Sequence, residues 1–378
     1  MRKRAAAILL ALCMALTLLP TAAFATEEGG AVAPVEQPTQ QEEKQEGQQE
    51  QPEETPEQPE EQPEAKPAEQ PEQQQESAAQ GGPAVQSNET GIALLADEHK
   101  HCICGGSVTA GDHTSHSDVA YQPWNGTDGI SYTNNTAYVY LTGNAPIGGH
   151  LTVDGKTLYL CLNGKTLSSN NTAKIQVENG GRLVLCDCQG GGTFKGATQS
   201  VWGGACIYLY TSTLDMFGGK LTGGKVTGKG GGGAIALDDQ QCIFNMYGGE
   251  ISGNNGNNYG GAIFRKFNAN VPNTTGGAFN MYGGVIKNNT AKNGGAYFST
   301  TGGTIKMTGG TISGNTATQS NNDAGGGAIY MRGNGKIDIS GSAEITGNSS
   351  SLDGGAILMG WGEINISGSA KINSNTAS

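Results

Sequence analysis

Short stretches of alternating apolar and polar residues recur along the second half of the chain. Between Gly326 and Asp353 there are three of them, Ala328–Met331, Lys336–Ile339 and Glu344–Thr346. Gly, Asn, Ser and Asp separate them, and these residues favour tight turns. Alternation over stretches this short is typical of half-buried β-strands and too short for a helix. The pattern therefore predicts three short strands joined by turns.

The same plan repeats with the string Gly-Gly-Ala. Its six copies begin at Gly203, Gly232, Gly260, Gly294, Gly326 and Gly354. Subtracting successive positions gives periods of 29, 28, 34, 32 and 28 residues. Periods of this length indicate a solenoid in which each repeat forms one coil. We therefore predict an all-β parallel β-helix over residues 121–378, with three short strands per coil and the Gly-Gly-Ala string at a corner.

Stacked coils predict two columns of equivalent side chains. A branched aliphatic residue recurs at Leu221, Ile251, Ile286, Ile312, Ile345 and Ile372. Three positions after five of these, an asparagine recurs at Asn254, Asn289, Asn315, Asn348 and Asn375. The first coil has Gly224 at that place. Parallel stacking brings equivalent positions within hydrogen-bonding range. We predict that the aliphatic column fills the core and that the asparagines bond from coil to coil.

Residues 1–25 have the three parts of a secretory signal peptide. Arg2-Lys3-Arg4 provides the positive end, an apolar run follows, and Ala23-Phe24-Ala25 offers a cleavage site between small residues. No later stretch approaches the roughly 18 apolar residues of a membrane helix, so we expect no membrane span after signal removal. These features predict an exported protein that is extracellular, either secreted or associated with the cell wall or surface.

Residues 26–96 form a linker rich in Glu, Gln and Pro. Residues 26–80 contain 16 Glu and 2 Lys, a charge of −14, whereas the signal peptide carries +3 and the whole chain −12, which leaves −1 for residues 81–378. A segment with so few aliphatic residues cannot bury a core, so we predict a disordered tether. Because the folded part is almost neutral, the acidity belongs to the tether, and we predict no nucleic-acid partner.

Residues 97–120 form a cap segment that is dense in histidine and cysteine. Thiolate and imidazole are the usual ligands of structural zinc, and the candidate ligands are His101, Cys102, Cys104, His113 and His116. The Cys-x-Cys spacing differs from the Cys-x-x-Cys of common zinc fingers, so a cysteine pair or free thiols remain the alternative. No cofactor is expected other than this structural zinc.

Three further cysteines lie at the start of the solenoid. Cys161 and Cys186 are about one coil apart and share the phase opposite to the flanking leucines. We therefore expect Cys161 to lie beside either Cys186 or Cys188 in the stack.

Three motifs are similar to those of a known family. They are the repeated Gly-Gly-Ala-Ile units, the string Gly-Gly-Thr-Ile-Ser-Gly-Asn over Gly309–Asn315, and the entry Leu-Cys-Leu-Asn-Gly over Leu160–Gly164. They resemble right-handed parallel β-helix surface proteins of Gram-positive, gut-type bacteria, over about residues 99–378. Gly-Gly-Ala-Ile is shared with the chlamydial polymorphic outer-membrane proteins, whose second motif, Phe-x-x-Asn, is not clearly repeated here. The resemblance implies a right-handed β-helix and an adhesin-like protein.

Two classes of function remain open. One is a non-enzymatic rod whose faces bind extracellular glycans or surface proteins. The other is a carbohydrate-active enzyme, a polysaccharide lyase or a glycoside hydrolase, because these also use parallel β-helices. Glycoside hydrolysis needs two facing carboxylates, and the acids here are scattered, so no catalytic residue is assigned. The chain ends at Ser378, where the next coil would begin, and we expect a truncated β-helix or an end covered by a second copy.

Overall fold

The computed structural model describes residues 99–104, 118–200, 203–228, 230–239, 241–266, 277–300, 302–320 and 325–378. Every regular element among them is a β-strand, and all of them belong to the unit Asn88–Ser378. The predicted signal peptide and linker, residues 1–96, lie outside the described residues, and so do residues 97–98 and 105–117 of the predicted cap segment.

The strands stack into four parallel columns, which we number as sheets 1 to 4 in the order that the chain visits them after each Gly-Gly-Ala string. Sheet 1 contains Leu151–Asp154, Ile175–Glu178, Ile207–Tyr210, Ile235–Leu237, Ile263–Arg265 and Tyr297–Ser299. Sheet 2 contains Gln122–Trp124, Thr136–Leu141, Thr157–Cys161, Arg182–Cys186, Thr213–Met216, Ile243–Met246, Ala278–Met281 and Gly302–Met307. Two long strands, Ile329–Ile339 and Ile357–Ile366, run through both sheets, and their mutual register shifts once, between Met331 and Asn334.

The chain then passes through two narrower sheets. Sheet 3 contains Ala145–Pro146, Thr166–Ser168, Thr193–Lys195, Lys220–Thr222, Glu250–Ser252, Val285–Lys287, Thr311–Ser313, Glu344–Thr346 and Lys371–Asn373. Sheet 4 contains Thr198–Gln199, Lys225–Val226, Asn255–Tyr259, Thr290–Asn293, Thr316–Ala317, Ser349–Ser350 and Thr376–Ala377. The parallel β-helix predicted from the repeats is confirmed. Each coil that contributes to sheet 4 has one short strand beyond the three predicted. Several strands of sheet 4 are too short to show an alternating pattern.

The predicted aliphatic column lies in sheet 3. Leu221 pairs with Ile251, and the register continues without a shift through Ile286, Ile312, Ile345 and Ile372. The five members from Leu221 to Ile345 are fully buried in the lumen of the solenoid. Stacking at the strand spacing fills the lumen because each side chain rests on its equivalent in the next coil.

The predicted asparagine column follows at the turn between sheets 3 and 4. The Nδ2 of Asn254, Asn289, Asn315 and Asn348 donates to the Oδ1 of the next asparagine at 2.9–3.0 Å. The backbone N–H of each donates to the same oxygen at 2.9–3.0 Å. Gly224 takes part through its backbone N–H, 2.9 Å from Asn254 Oδ1. The column satisfies buried polar groups that the turn would otherwise leave unpaired.

The Gly-Gly-Ala string forms the corner between sheets 4 and 1, and its two glycines are needed for different reasons. Gly294 has a φ of +63°, which glycine adopts without steric cost. A Cβ on Gly295 would lie 2.2 Å from the carbonyl oxygen of Gly327 in the next coil. Ala296 is fully buried, and its N–H donates to Ala328 O at 2.9 Å. The corner therefore allows the coils to approach closely.

The outer face of sheet 2 carries two neighbouring columns. One runs Tyr138, Tyr159, Val184, Asp215, Asn245, Asn280, Lys306, Asp338 and Asn365 in register. The other begins with Tyr140, Cys161 and Cys186. Residues before the solenoid form a separate two-stranded pair, the N-terminal hairpin, in which Lys100–His101 runs antiparallel to Val119–Ala120.

Candidate functional site

The N-terminal hairpin carries the first of the predicted zinc ligands. His101, Cys102 and Cys104 are all buried, and the Sγ atoms of the two cysteines lie 2.7 Å apart. His113 and His116 lie outside the described residues. The five-residue ligand set therefore stays a prediction, and the structure places its first three members.

Both described histidines of this segment pack against tyrosines. The His99 ring stacks on Tyr140 of sheet 2, with centroids 4.0 Å apart and an interplanar angle of 12°. The His101 ring stacks on Tyr121 at 4.1 Å and 25°. The backbone N–H of Tyr121 donates to His99 O at 2.9 Å. The hairpin is thus held on the outer face of sheet 2, beside the column that begins with Tyr140.

The same outer column supplies cysteines to this place. Cys161 and Cys186 are Cα partners in adjacent strands, and Cys188 follows two residues later. The Sγ atoms of Cys161 and Cys188 are 3.4 Å apart, and Cys188 Sγ lies 3.4 Å from His99 Nε2. The expectation that Cys161 lies beside Cys186 or Cys188 is confirmed for both residues.

Four potential ligand atoms converge here, from His99, His101, Cys161 and Cys188, which we call the His/Cys centre. All four atoms lie within 4.8 Å of one another, and within the described part of the chain no other group of this kind is found. Only His101 also belongs to the ligand set predicted from the sequence. Local spacing could not reveal the two cysteines, because they come from coils far along the chain. Their phase opposite to the leucines was the available signal, since it places them on the outer face.

Burial and hydrogen bonding control the protonation of the centre. Burial lowers the pKa of His101 and of His99, and the neighbouring His101 lowers that of His99 further. A hydrogen bond with Cys186, together with burial, raises the pKa of Cys161 to about 12. The pKa of Cys188 is raised by its hydrogen bond with Cys161 and by burial. Without a metal, the centre therefore holds neutral imidazoles and protonated thiols.

A second candidate site is a cleft of about 150 Å³ outside the Gly-Gly-Ala corner. It is lined by Tyr259, Asn293, Phe298, Gln319, Tyr330 and Arg332. Tyr259 stacks on Phe298 with ring centroids 4.6 Å apart, and Tyr330 meets Phe298 edge-on at 5.1 Å. These rings occupy outward positions of sheets 1 and 4, which sequence analysis did not connect because the strands lie in different coils.

Asn293 contributes an unusual polar group to this cleft. Its Nδ2 donates to Asn258 O at 3.1 Å, but its Oδ1 is buried and has no hydrogen-bond partner. The residue as a whole is only 7% exposed. An unpaired buried acceptor costs free energy, so a donor from a bound molecule would be stabilised there.

Two groups of outer side chains, on the strands of sheet 2 and directly after them, contact one another. The rings of Phe217, Tyr247 and Tyr282 stack in sequence, with centroids 4.5 and 4.9 Å apart. Asp215 is buried, and it accepts from Arg182 Nε at 2.6 Å and from Asn245 Nδ2 at 2.7 Å. Both faces of Tyr247 are covered by its neighbours, so this aromatic column contributes packing.

Comparison with protein-family models, with curated proteins and with solved structures finds no match for the chain. Within the described residues there is no helix long and apolar enough to cross a membrane.

Proposed function

We propose that this protein is an extracellular, non-enzymatic β-helix that binds glycans, in the manner of an adhesin. The observation that carries the proposal is the cleft formed by the half-buried rings of Tyr259 and Tyr330, which pack on the buried Phe298, and by the polar side chains around them. Aromatic rings stack on the apolar faces of sugar rings, whereas amide and guanidinium groups bond to hydroxyl and carboxylate groups. The cleft combines both kinds of group on the outside of a rigid scaffold.

The size of the cleft indicates what part of a ligand it would hold. Pockets for whole small molecules usually measure roughly 300–1,000 Å³. A cleft of about 150 Å³ is smaller, so it suits one residue of a longer chain. A sugar hydroxyl could donate to Asn293 Oδ1, and the exposed Arg332 favours a ligand that carries a carboxylate or another negative group. We therefore expect an acidic sugar residue in this cleft.

The arrangement of acids favours binding over cleavage. A glycoside hydrolase needs two carboxylates that face each other across the substrate. In the outer column of sheet 2, Asp215 lies between Val184 and Asn245, and Asp338 lies between Lys306 and Asn365. The cleft itself is lined by no carboxylate among the described residues. The alternative of a carbohydrate-active enzyme lacks a comparable supporting observation.

The proposed location rests on the sequence of the N-terminal region. Residues 1–25 have the pattern of an export signal, and the Glu-, Gln- and Pro-rich residues 26–96 have the composition of a tether. Such a tether would hold the β-helix away from the cell wall or surface, where its faces can reach extracellular glycans or the glycans of surface proteins.

A glycan array followed by calorimetry tests the proposal. The full-length protein should bind a subset of acidic glycans, and Tyr330→Ala and Arg332→Ala should each weaken binding by at least about 10-fold, or about 1.4 kcal/mol. Tyr282→Ala, in the aromatic column of sheet 2, is the matched control and should bind normally. The absence of glycan binding, or equal binding by all variants, contradicts the proposal. Release of shorter sugars from a bound glycan would support the enzyme instead.

A further inference from the structure

We infer that the His/Cys centre is a zinc site that fixes the N-terminal hairpin to the outer face of sheet 2. Zinc bound tetrahedrally, with Zn–S near 2.3 Å and Zn–N near 2.0–2.1 Å, places its ligand atoms roughly 3.3–3.8 Å apart. The Cys161 Sγ–Cys188 Sγ and Cys188 Sγ–His99 Nε2 distances are both 3.4 Å. All four ligand atoms already lie within 4.8 Å of one another, so small side-chain rotations complete the tetrahedron.

The surroundings of His101 provide a second and independent observation. Its Nδ1 donates to the backbone carbonyl of Cys102 at 2.6 Å. Its Nε2 is buried without a hydrogen-bond partner, and the residue is 8% exposed. A histidine that ligates zinc usually donates its other ring N–H to a carbonyl or carboxylate, which orients the ring and fixes the tautomer. The bond to Cys102 does this and leaves the Nε2 lone pair for a metal.

The donor set indicates which metal and which role. Two thiolates and two imidazoles in a tetrahedron suit zinc, and four protein ligands leave no open position for a substrate. The site is therefore structural. On binding, Zn²⁺ forms two Zn–S and two Zn–N bonds and displaces the two thiol protons to solvent.

The positions of the ligands determine what the metal stabilises. His99 and His101 belong to the N-terminal hairpin, whereas Cys161 and Cys188 belong to two successive coils. The predicted tether is followed by the N-terminal hairpin, and zinc would thus join this hairpin to the body of the β-helix. Apart from zinc, the contacts that hold this hairpin include a two-residue strand pair, ring stacking and packing of its buried cysteines. We expect the docking of the hairpin to depend on zinc.

Metal analysis of the full-length protein, purified with a thiol reductant and excess zinc, tests the ligand set. One zinc per chain is expected, and the cobalt-substituted protein should show the thiolate charge-transfer and visible bands of a tetrahedral site. Cys188→Ser and His101→Ala should each lower the affinity by at least about 100-fold. His150→Ala and Cys206→Ala, which alter a histidine and a cysteine outside the centre, are the matched controls and should retain zinc.

Three results would overturn the inference. The first is no bound zinc in the reduced wild-type protein. The second is loss of zinc in a folded Cys102→Ser/Cys104→Ser variant together with its retention in Cys188→Ser, since this would assign the metal to the cysteines of the hairpin. The third is a Cys161–Cys188 disulfide in the protein as it is secreted. Far-UV circular dichroism of each variant separates loss of a ligand from loss of the fold.

Amide hydrogen exchange tests, without any substitution, whether zinc holds the N-terminal hairpin on sheet 2. Removing zinc with a chelator should accelerate amide exchange in residues 99–104 and 119–121, while exchange in sheet 3 stays unchanged. Equal protection of residues 99–104 with and without zinc would show that the metal does not hold the hairpin.

Discussion

Replacing Asn315 with alanine removes one member from the middle of the asparagine column. The Oδ1 of Asn315 accepts from the backbone N–H and the Nδ2 of Asn289, both at 3.0 Å. Its Nδ2 donates to Asn348 Oδ1 at 2.9 Å, to Ile286 O at 3.0 Å and to Ser313 O at 3.1 Å. The side chain is fully buried, so water cannot replace these partners in the folded protein.

The largest part of the expected loss comes from the Asn289 backbone. Its N–H donates to Asn315 Oδ1, and a buried donor left without an acceptor costs about 1–3 kcal/mol. The lost amide bonds to Asn348 and to the two carbonyls add about 1 kcal/mol or more in total. We therefore expect Asn315→Ala to lower the free energy of unfolding by about 2–4 kcal/mol.

Urea unfolding followed by far-UV circular dichroism measures this loss. With a slope near 3 kcal/mol/M, a loss of about 3 kcal/mol lowers the midpoint by about 1 M. The matched control is Asn280→Ala, because Asn280 also bonds to an asparagine of the adjacent coil, Asn245 Oδ1 at 2.9 Å, but on the outer face. Water can replace that bond, so we expect the control to cost less than about 1 kcal/mol.

The comparison of the two variants decides the interpretation. Equal midpoints for Asn315→Ala and Asn280→Ala would refute the reasoning, because burial would then make no difference. Amide exchange adds a local readout, since the N–H of Asn289 should exchange faster in Asn315→Ala than in the wild type. Solenoids can unfold in segments, so the slope must be equal in both proteins before the midpoints are compared.

Two further predictions concern a corner and an ion-pair group. Gly295→Ala should lower the free energy of unfolding in urea by more than about 2 kcal/mol, because the added Cβ would lie 2.2 Å from Gly327 O. The control Gly149→Ala has open space around its Cβ and should change this free energy by less than about 0.5 kcal/mol. Similar losses in the two variants would contradict the close approach of the coils. For Glu250, burial acts to raise the pKa, but the Ser252 hydroxyl and the ammonium groups of Lys287 and Lys220, both 2.9 Å away, outweigh it and lower the pKa to about 2. Because the folded pKa is depressed, Glu250 stabilises the fold fully above its unfolded value near pH 4.5 and loses this effect as the pH falls through 2. The free energy of unfolding in urea should therefore be higher for the wild type than for Glu250→Gln by about 1–2 kcal/mol at pH 6, after allowance for screening of the half-exposed lysines. At pH 2 the two free energies should be almost equal. A difference between them that does not vary with pH would contradict this.

The sequence predicted the parts of the fold that repeat from coil to coil. Ile312 and Asn315 could be assigned to columns because every coil must place an equivalent residue at the same point of the stack. Their register is confirmed through changes of period from 28 to 34 residues, since the stacked strands rather than the turns determine it.

The features that occur once were harder to predict. An arginine ordinarily indicates the surface, whereas the alternation in Ile263–Arg265 points Arg265 into the lumen. The structure buries Arg265 there, between Leu237 and Ser299 of the adjacent strands. The His/Cys centre joins residues that are far apart in sequence, and no period relates the hairpin to the coil that it covers. Contacts of this kind depend on tertiary packing and leave little trace in local spacing.

The connection between sheets 1 and 2 changes length from coil to coil while the strands on either side keep their partners. Residues 266–277 separate the two strands of one coil, residues 300–301 separate those of the next, and in Ile329–Ile339 the connection has vanished. Ile263–Arg265 and Ala278–Met281 nevertheless pair in register with the coils that follow. Rise along the rod is therefore independent of the number of residues in a coil. Lengthening this connection would add surface for recognition without altering the distance between coils, so new specificity can be introduced there while the length of the rod is preserved.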